Sequence, residues 1–415
     1  MVWKATKYIR IALAFLVVLA LGNVNNAWSQ ALGPDFDPAD LLEETQLKRE
    51  RIAAGTFGHL FNIVPEQTIV DYADWNINLA RETGITYLVY YASAGQFGSQ
   101  GSPSDQTGNG NTNVLIGWKP TWQTGPNQGG IVFHYLNLGQ YGTSGVDFAQ
   151  SLGISSFTSD SISNADLFRS VAWRQLLADG LIDFRIGQIE PTSQFNALPY
   201  ANDNRAFLAS PLSNEASRTV PAAGVGMTLI AEILENVFLG GAIADANGKG
   251  NFLDFDSFFQ GDHMSSAYVA FEPEVGRLGR GKYQVALHTI DATESTPYSR
   301  FLGVNAEQSL GDNWAVFAKY NRADKRQPAV RQSAAGGIVW RKPFGFEEDW
   351  LGVGLGWSDP TNPSLRDEYV AETFWRTQLT PLIQISPSVQ FWFDPSLTPS
   401  EDFQFVFTIR LLGEF

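Results

Sequence analysis

Histidine and cysteine, which carry much of the acid–base, nucleophilic and metal chemistry of enzymes, are scarce or absent in this sequence. The four histidines, at positions 59, 134, 263 and 288, lie far apart, and there is no cysteine. Thiol catalysis, disulfide frameworks and thiolate zinc sites are therefore excluded. His263, beside Asp262 in a predicted loop with serines nearby, leaves a Ser/His/Asp hydrolase as a remote alternative. We predict no catalytic residue, no metal site and no cofactor.

Glycine clusters are the second feature that can indicate chemistry, because glycine-rich loops between a strand and a helix bind phosphates. The pair Gly240–Gly241 and the spaced glycines 352, 354 and 356 lie instead within stretches that alternate apolar and small or polar residues. Their position inside strand-like segments does not favour a phosphate-binding role.

Polar side chains on alternating segments are the best candidates for a functional site. In the last segment, apolar residues at 403, 405, 407, 409 and 411 alternate with others that include Gln404, Thr408 and Arg410. Similar alternation covers residues 283–290, 351–357 and 383–393. Such a pattern places one face against an apolar environment and the other against a polar one. Segments of about ten residues with this pattern are typical of transmembrane β-barrel strands.

The spacing of these segments predicts the fold. They begin near residues 80, 112, 129, 166, 181, 223, 236, 265, 281, 299, 313, 333, 349, 367, 383 and 402. Connections of about twenty to thirty residues follow the first, third, fifth and seventh segments, whereas nearly all even-numbered connections are short, as in barrels with tight periplasmic turns and long external loops. Trp350, Trp357 and Trp375, near segment ends, fit interfacial aromatic girdles. We predict an all-β fold, a transmembrane antiparallel β-barrel of about 16 strands, over residues 79–415.

The side of each strand that faces away from lipid would line a lumen. In residues 367–379, Glu368, Glu372 and Arg376 share one side if Tyr369 faces lipid. Charges of both signs fit hydrogen bonding to neutral polyols better than a single-sign field that selects ions. Inward aromatic rings could in addition stack on sugars. The candidate pore-lining residues are Lys119, Asp183, Arg185, Asp203, Arg205, Tyr268, His288, Asn305, Glu307, Glu368, Glu372, Arg376, Gln378, Gln390 and Trp392.

The longest connection, residues 191–221, follows the fifth segment and is therefore expected at the external end. Its centre carries the polar run Asn202-Asp203-Asn204-Arg205. Loops of more than about fifteen residues without secondary structure are commonly functional or disordered. We predict that this loop folds into the lumen and sets its constriction.

The first 78 residues differ from the rest of the chain. Residues 1–29 combine basic residues, an apolar run over 11–21 and small residues before position 30, which predicts a cleaved secretory signal peptide and export to the bacterial outer membrane. Loss of its three basic residues takes the formal charge from −15 to −18, and this acidity disfavours a nucleic-acid partner. Residues 30–78 are expected to form a periplasmic or plug-like segment with one helix over 41–54, or more simply a solvated extension.

The C-terminal hairpin resembles that of the OprB-type carbohydrate-selective porins. The resemblance is carried by Glu372-Thr-Phe-Trp-Arg376-Thr-Gln378-Leu379-Thr380-Pro381, by Ile385-x-Pro387-x-x-Gln390 and by Asp394-Pro395. Phe184-Arg185-Ile186-Gly187-Gln188 and Gly84-Ile85-Thr86-Tyr87 are similar to a central strand and the first strand of that family. The resemblance covers roughly residues 75–415. It implies a sixteen-stranded outer-membrane barrel that passes glucose and other sugars by diffusion, with no cofactor.

The leading hypothesis is therefore an outer-membrane porin for passive, sugar-preferring diffusion of small hydrophilic solutes, with outer-membrane lipid and small sugars as its partners. A non-selective porin, or one that prefers cations because of the acidic charge, is the first alternative. A structural or adhesive surface barrel, whose lumen residues 30–78 would fill, is a further one. The sequence leaves the oligomeric state open between monomer and trimer.

Overall fold

A computed structural model gives the architecture of the chain. It describes residues 38–99, 105–123, 125–159, 164–190, 192, 195, 198–255, 257–294, 297–324 and 329–415. The predicted signal peptide, residues 1–29, lies outside this part of the chain. Among the described helices, none is long and apolar enough to cross a membrane.

Two helices precede the barrel, of which the sequence analysis predicted only the first. Helix α1 is Pro38–Ala53 and helix α2 is Glu66–Thr83. Helix α2 ends at Gly84, whose left-handed backbone (φ 77°) brings its N–H onto the carbonyl of Ala80 at 2.9 Å. The predicted start of the first strand, near Ala80, is therefore wrong, because that residue belongs to the last turn of α2. Both helices pack on the barrel and do not extend into solvent.

The rest of the described chain is dominated by sixteen long strands. They are β1 Ile85–Gly98, β2 Gln106–Trp118, β3 Gly129–Gly142, β4 Ala165–Leu177, β5 Ile182–Ile189, β6 Gly224–Leu234, β7 Val237–Asp245, β8 His263–Phe271, β9 Gly279–Ile290, β10 Ser299–Leu310, β11 Trp314–Asp324, β12 Val330–Arg341, β13 Trp350–Pro360, β14 Glu368–Thr380, β15 Ile383–Phe393 and β16 Phe403–Glu414. A two-residue strand, Glu274–Val275, sits in the turn before β9, and two short helices, α3 Gly145–Ser151 and α4 Ser210–Ser213, lie in connections. Most strand positions agree with the predicted segments.

Antiparallel pairing of each strand with its sequence neighbours closes the sheet into a barrel. The closing pair is β1 with β16, from Tyr90 opposite Glu414 to Gly98 opposite Val406. No edge is therefore left among these strands, which is the condition for a sheet that crosses a membrane. The prediction of a closed antiparallel barrel of sixteen strands is confirmed.

The connections sort by length between the two barrel ends, with one correction. Residues 143–164, 190–223 and 246–262 are the long connections, and all three lie at the same end. The connection after β1 is short, however, covering only residues 99–105, because β2 begins at Gln106 and not near 112. His263, expected in a loop, is the first residue of β8, and its ring Nε2 lies 3.1 Å from the carbonyl oxygen of Phe258.

The strands present two faces of opposite character. In β16, Phe403, Phe405 and Phe407 are exposed, whereas the alternate residues Gln404 and Thr408 are buried. Exposed apolar side chains on the outer face are what a lipid environment stabilises, and the buried face is directed to the lumen. The inside is occupied in part by two of the long connections, described next.

Candidate functional site

The connection after β5 folds into the barrel and packs there through apolar side chains. Phe207 is fully buried and meets Phe374 of β14 edge to face, with ring centroids 4.8 Å apart, and Phe317 of β11 at 5.4 Å. Leu212 belongs to the same cluster, which also includes Phe148 from the connection after β3. Two external connections therefore share one apolar core with the inner wall.

The spaced glycines of β13 make room for this loop. A methyl group added at Gly354 would lie 2.7 Å from Leu212 Cδ2 and 2.9 Å from Phe207 Cε1. A methyl group added at Gly356 would lie 3.0 Å from Pro211 Cβ. The glycine run is thus a flat surface onto which the loop packs closely, and its position inside a strand is explained by packing.

Two buried carboxylates of β14 hold the inserted connections by accepting backbone hydrogen bonds. The Leu208 N–H donates to Glu372 Oε1 at 2.9 Å, and the Ala209 N–H donates to Oε2 at 2.8 Å. Glu368 accepts from the N–H groups of Ser155 and Ser156, at 3.1 and 2.8 Å. Both carboxylates lie on the inner face as predicted, but they are covered by loop backbone and are closed to passing solute. An inward carboxylate is a strong acceptor, and the amides of an inserted loop are the donors that satisfy it.

A second group of inward polar side chains fixes the end of the same loop. Lys319 Nζ donates to the Asn214 carbonyl at 2.6 Å, and the Ser217 N–H donates to Asn321 Oδ1 at 3.1 Å. Asn305, one of the predicted residues, lies 3.3 Å through its Nδ2 from the Glu215 carboxylate. Lys319 and Asn321 were missed by the sequence analysis, although their even spacing on β11 places them with the inward set.

The polar tip of the loop, residues 202–205, reaches the wall at β2 and β16. Asn111 Nδ2 donates to Asn204 Oδ1 at 3.0 Å, and Arg205 forms an ion pair with Glu414. Burial lowers the pKa of Arg205, but attraction to the carboxylates of Glu414 and Glu44 is stronger than this effect. The pKa of Arg205 therefore lies above its ordinary value. Arg410 donates to the carbonyl of Asp203 and, at 2.9 Å, to that of Ala206. The tip is therefore held by charged and amide groups, with its own side chains half-buried.

Facing this tip, the inner wall at β4 and β5 carries paired charges. Arg169 forms an ion pair with Glu190 and interacts electrostatically with Asp203 of the loop tip. Asp183, on the same wall, lies 2.9 Å from Arg174 and 3.1 Å from Arg185. Asp183 and Arg185 thus share one cluster, as their spacing on β5 predicted. Arg169 and Glu190 were missed, and a register shift between β3 and β4 interrupts the alternation in this region.

The predicted inward aromatic residues are inside the barrel but buried. Trp392 is 1% exposed and packs within the core beneath the inserted connections. Tyr268 packs against Phe195, with ring centroids 5.1 Å apart, and the ring of His288 is 6.4 Å from Phe195. Loop side chains cover both rings, so Trp392 and Tyr268 present no exposed ring face for the predicted stacking of sugars.

Trp350, expected at a membrane interface, also turns inward. Its ring lies 3.3 Å from the Arg376 guanidinium carbon and 4.9 Å from the Tyr200 ring. Arg376, a predicted pore-lining residue, is therefore stacked on the face of an aromatic ring. This is a cation–π contact, in which the ring attracts the guanidinium charge.

The remaining predicted residues have local partners. Glu307 accepts the Tyr200 N–H at 3.2 Å, and Gln390 Nε2 donates to the Thr158 carbonyl at 2.9 Å. Gln378 donates to the carbonyl of Thr380 at 2.6 Å, and Lys119 lies just beyond the end of β2. Most of the predicted set is thus on the inner face, and a large share of it binds loops.

A closed sixteen-strand barrel with a polar interior and an inserted loop after β5 defines a porin. Comparison with solved structures supports this architecture: the chain aligns with Pseudomonas putida OprB at high pH (TM-score 0.70, 15% identity, 83% of this chain and 97% of that one) and with Salmonella typhi OmpF in complex with daunomycin (TM-score 0.54, 10% identity, 80% and 97%). The likeness to these structures shows the fold.

A family model places the chain more narrowly within the porins. Residues 155–415 match the model of the carbohydrate-selective porin, OprB family, and the chain belongs to this family. Among curated relatives, porin AaxA of Chlamydia abortus is 23% identical over 320 residues, 70% of each chain, and porin AaxA of Chlamydia pneumoniae is 24% identical over 294 residues, 68% of this chain and 67% of that one. The protein is accordingly an outer-membrane diffusion channel and not an enzyme.

Proposed function

We propose that sugars diffuse through a constriction between the loop tip, residues 202–205, and the inner wall at β4 and β5. The observation that carries this proposal is the position of the loop: its body covers the inner faces of β11 to β16, and its half-buried polar tip faces Arg169 and Glu190. The passage is then bounded by hydrogen-bonding groups of both charge signs. Such groups exchange hydrogen bonds with a neutral polyol without capturing an ion.

Binding in this passage is expected to be weak, because conduction requires that the solute leave as readily as it enters. We also propose that residues 1–29 are removed as a signal peptide, that residues 30–78 form a periplasmic segment, and that outer-membrane lipid covers the exposed apolar face of the strands.

The experiment is single-channel conductance in a planar bilayer, titrated with glucose, maltose and sucrose. We expect stepwise conductance that falls saturably with sugar. Deletion of residues 200–216 should raise the conductance and abolish the saturation. Unchanged conductance in the deletion variant would rule out the loop as the constriction. Folding of each variant is checked by its heat-modifiable migration in gel electrophoresis.

A substitution tests the same passage without removing the loop. Arg169→Gln combined with Asp203→Asn removes one charge of each sign from the proposed constriction and should weaken sugar block severalfold. Arg300→Gln is the matched control, since Arg300 is exposed and bonds to Tyr298 away from the lumen. Ion reversal potentials measured in parallel address the cation-preferring alternative, which predicts strong cation preference and conductance indifferent to sugar.

A further inference from the structure

Helix α1 lies across the end of the barrel opposite the long connections. Near its start, Leu41 is buried against Leu88, Leu115 and Val132, which are inward residues of β1, β2 and β3. Near its other end, Arg51 pairs with Glu348 in the turn between β12 and β13. The strands β13 to β16 separate these two anchor points the short way around the ring. From Leu41 to Arg51 the helix rises about 15 Å along its axis, and the two side chains extend this reach to both anchor points.

Charged residues in the middle of α1 face the lumen. Glu44 and Lys48 interact with Glu414 on β16 and with Arg205 of the loop tip. Burial raises the pKa of Glu44 and lowers the pKa of Lys48, which agrees with their enclosure between helix and wall. A cavity lies between this face of α1 and the wall, lined in part by Tyr87.

Helix α2 and the segment before it hold α1 in this position. Arg49 of α1 donates through Nε to Asp74 of α2 at 2.9 Å, and Ile52 is buried against Ile69 of α2. The N–H groups of Leu60 and Phe61 donate to the carbonyls of residues 378 and 379 at the rim, at 3.1 and 2.7 Å. The helical pair is thus docked on the barrel at several separate points.

From this placement we infer that α1 forms a second constriction, at the periplasmic exit of the pore, and that it sets the upper size of the sugars that pass. A solute that has passed the loop tip must leave between α1 and the uncovered part of the rim. The width of that exit depends on the contacts that Leu41 and Arg51 make with the barrel. This role is additional to the constriction proposed at the loop, and it is carried by different residues.

The test disrupts both contacts that hold α1 on the barrel, in the double variant Leu41→Asp with Arg51→Glu. Leu41→Asp places a charge in the apolar contact, and Arg51→Glu makes the ion pair with Glu348 repulsive. The matched control is Leu47→Asp with Glu50→Lys, two exposed positions on the same helix. Displacement is reported by Ile52→Cys in each background: the chain has no cysteine, so this buried position supplies the single thiol, and its maleimide labelling rate measures exposure.

The readout is the rate of liposome swelling with glucose, a disaccharide and a trisaccharide, together with single-channel conductance. The displaced variant should label severalfold faster at Ile52→Cys, conduct more, and admit the trisaccharide severalfold faster relative to glucose. The control should match the unmodified protein in all three. Saturable sugar block at the loop tip should persist, so failure of this inference is distinguishable from failure of the proposed loop constriction.

Faster labelling with an unchanged size profile and unchanged conductance would overturn the inference. If the substitutions leave labelling slow, deletion of residues 38–56 decides, since none of the sixteen strands is shortened by it. If the deletion variant admits the trisaccharide faster relative to glucose, the exit constriction is supported. If the relative rates are unchanged, the inference is overturned.

Discussion

Two segments contact the barrel from opposite ends, a loop that folds inside it and a helix that lies across its rim, and different forces hold them there. The loop of residues 198–217 is embedded in an apolar core, with Phe207 and Leu212 excluded from water and Glu372 accepting its amides. Helix α1 buries only a few apolar side chains, among them Leu41, and relies otherwise on ion pairs that are partly exposed. Apolar burial is resistant to salt, whereas exposed ion pairs contribute little and are screened.

The loop is therefore part of the folded core, whereas α1 rests on the barrel through fewer apolar contacts, and we expect its displacement to leave the wall folded. One ion pair, Arg205 with Glu414, joins the two regions, because Glu44 and Lys48 of α1 interact with the same pair. Substitutions in the loop core should therefore have large effects on its position, and substitutions at α1 should have smaller ones.

The largest effect is expected for Phe207→Ala. Removing this buried ring leaves a cavity between β11, β14 and the loop, at a cost of about 3–5 kcal/mol to the docking of the loop. We expect raised and noisy single-channel conductance and rapid proteolysis of the loop. Phe259→Ala is the control, because that ring is 87% exposed. Quiet, unchanged conductance in Phe207→Ala would contradict the view that the apolar core fixes the loop.

A smaller effect is expected for Glu372→Ala. The N–H groups of Leu208 and Ala209 would lose their acceptor while buried, which costs about 2–3 kcal/mol. Amide hydrogen exchange at residues 208 and 209 should accelerate while the strands keep their protection. Glu347→Ala, at an exposed carboxylate that pairs with Lys342 in a turn, should leave that exchange unchanged. Equal exchange in the two variants would show that the carboxylate is dispensable.

The wall itself was largely predictable from the sequence, and the reason is physical. Lipid on one side and a polar interior on the other impose period-two alternation, so β14, β15 and β16 could be located closely. Helix α2 was missed although Ile69, Val70, Ala73 and Ile77 repeat at helical spacing, a signal that was available. The start of β1 was misplaced for the same reason.

The roles of the inward residues could not be read from the strands alone. Alternation shows that Glu368, Glu372 and Gln390 point inward, but it does not say what meets them there. Their partners, such as Leu208 and Thr158, lie in connections far away in sequence whose path no local pattern determines. Residues predicted to contact solute therefore bind loop backbone, and Trp392 is covered.

The glycine run of β13 gives a third, smaller effect. Gly354→Ala places a methyl group against Leu212 and Phe207, which should cost about 1–2 kcal/mol through overpacking. Conductance should rise slightly as the loop shifts. Gly139→Ala is the matched strand control, since its nearest atom would be 3.6 Å away. If both variants behave alike, the close fit of loop to wall is not what positions the loop.

The smallest effect belongs to the pair that ties α1 to α2. The hydrogen bond from Arg49 holds the pKa of Asp74 below its ordinary value, so this contact stabilises the helical pair at neutral pH and is lost as pH falls below about 4. Pepsin cleavage of α1, followed as pH is lowered, should therefore accelerate in the unmodified protein. Glu44, whose pKa is raised by burial, titrates at higher pH and is common to all variants. In the Asp74→Asn variant, α1 should already be cleaved faster at the upper end of the pH range, and the rate should not rise further as the pH falls through the titration of Asp74. In the control Asp71→Asn, on the same helix, the acceleration at low pH should remain. The same pH profile in Asp74→Asn and the unmodified protein would show that the pair contributes nothing to the docking of α1.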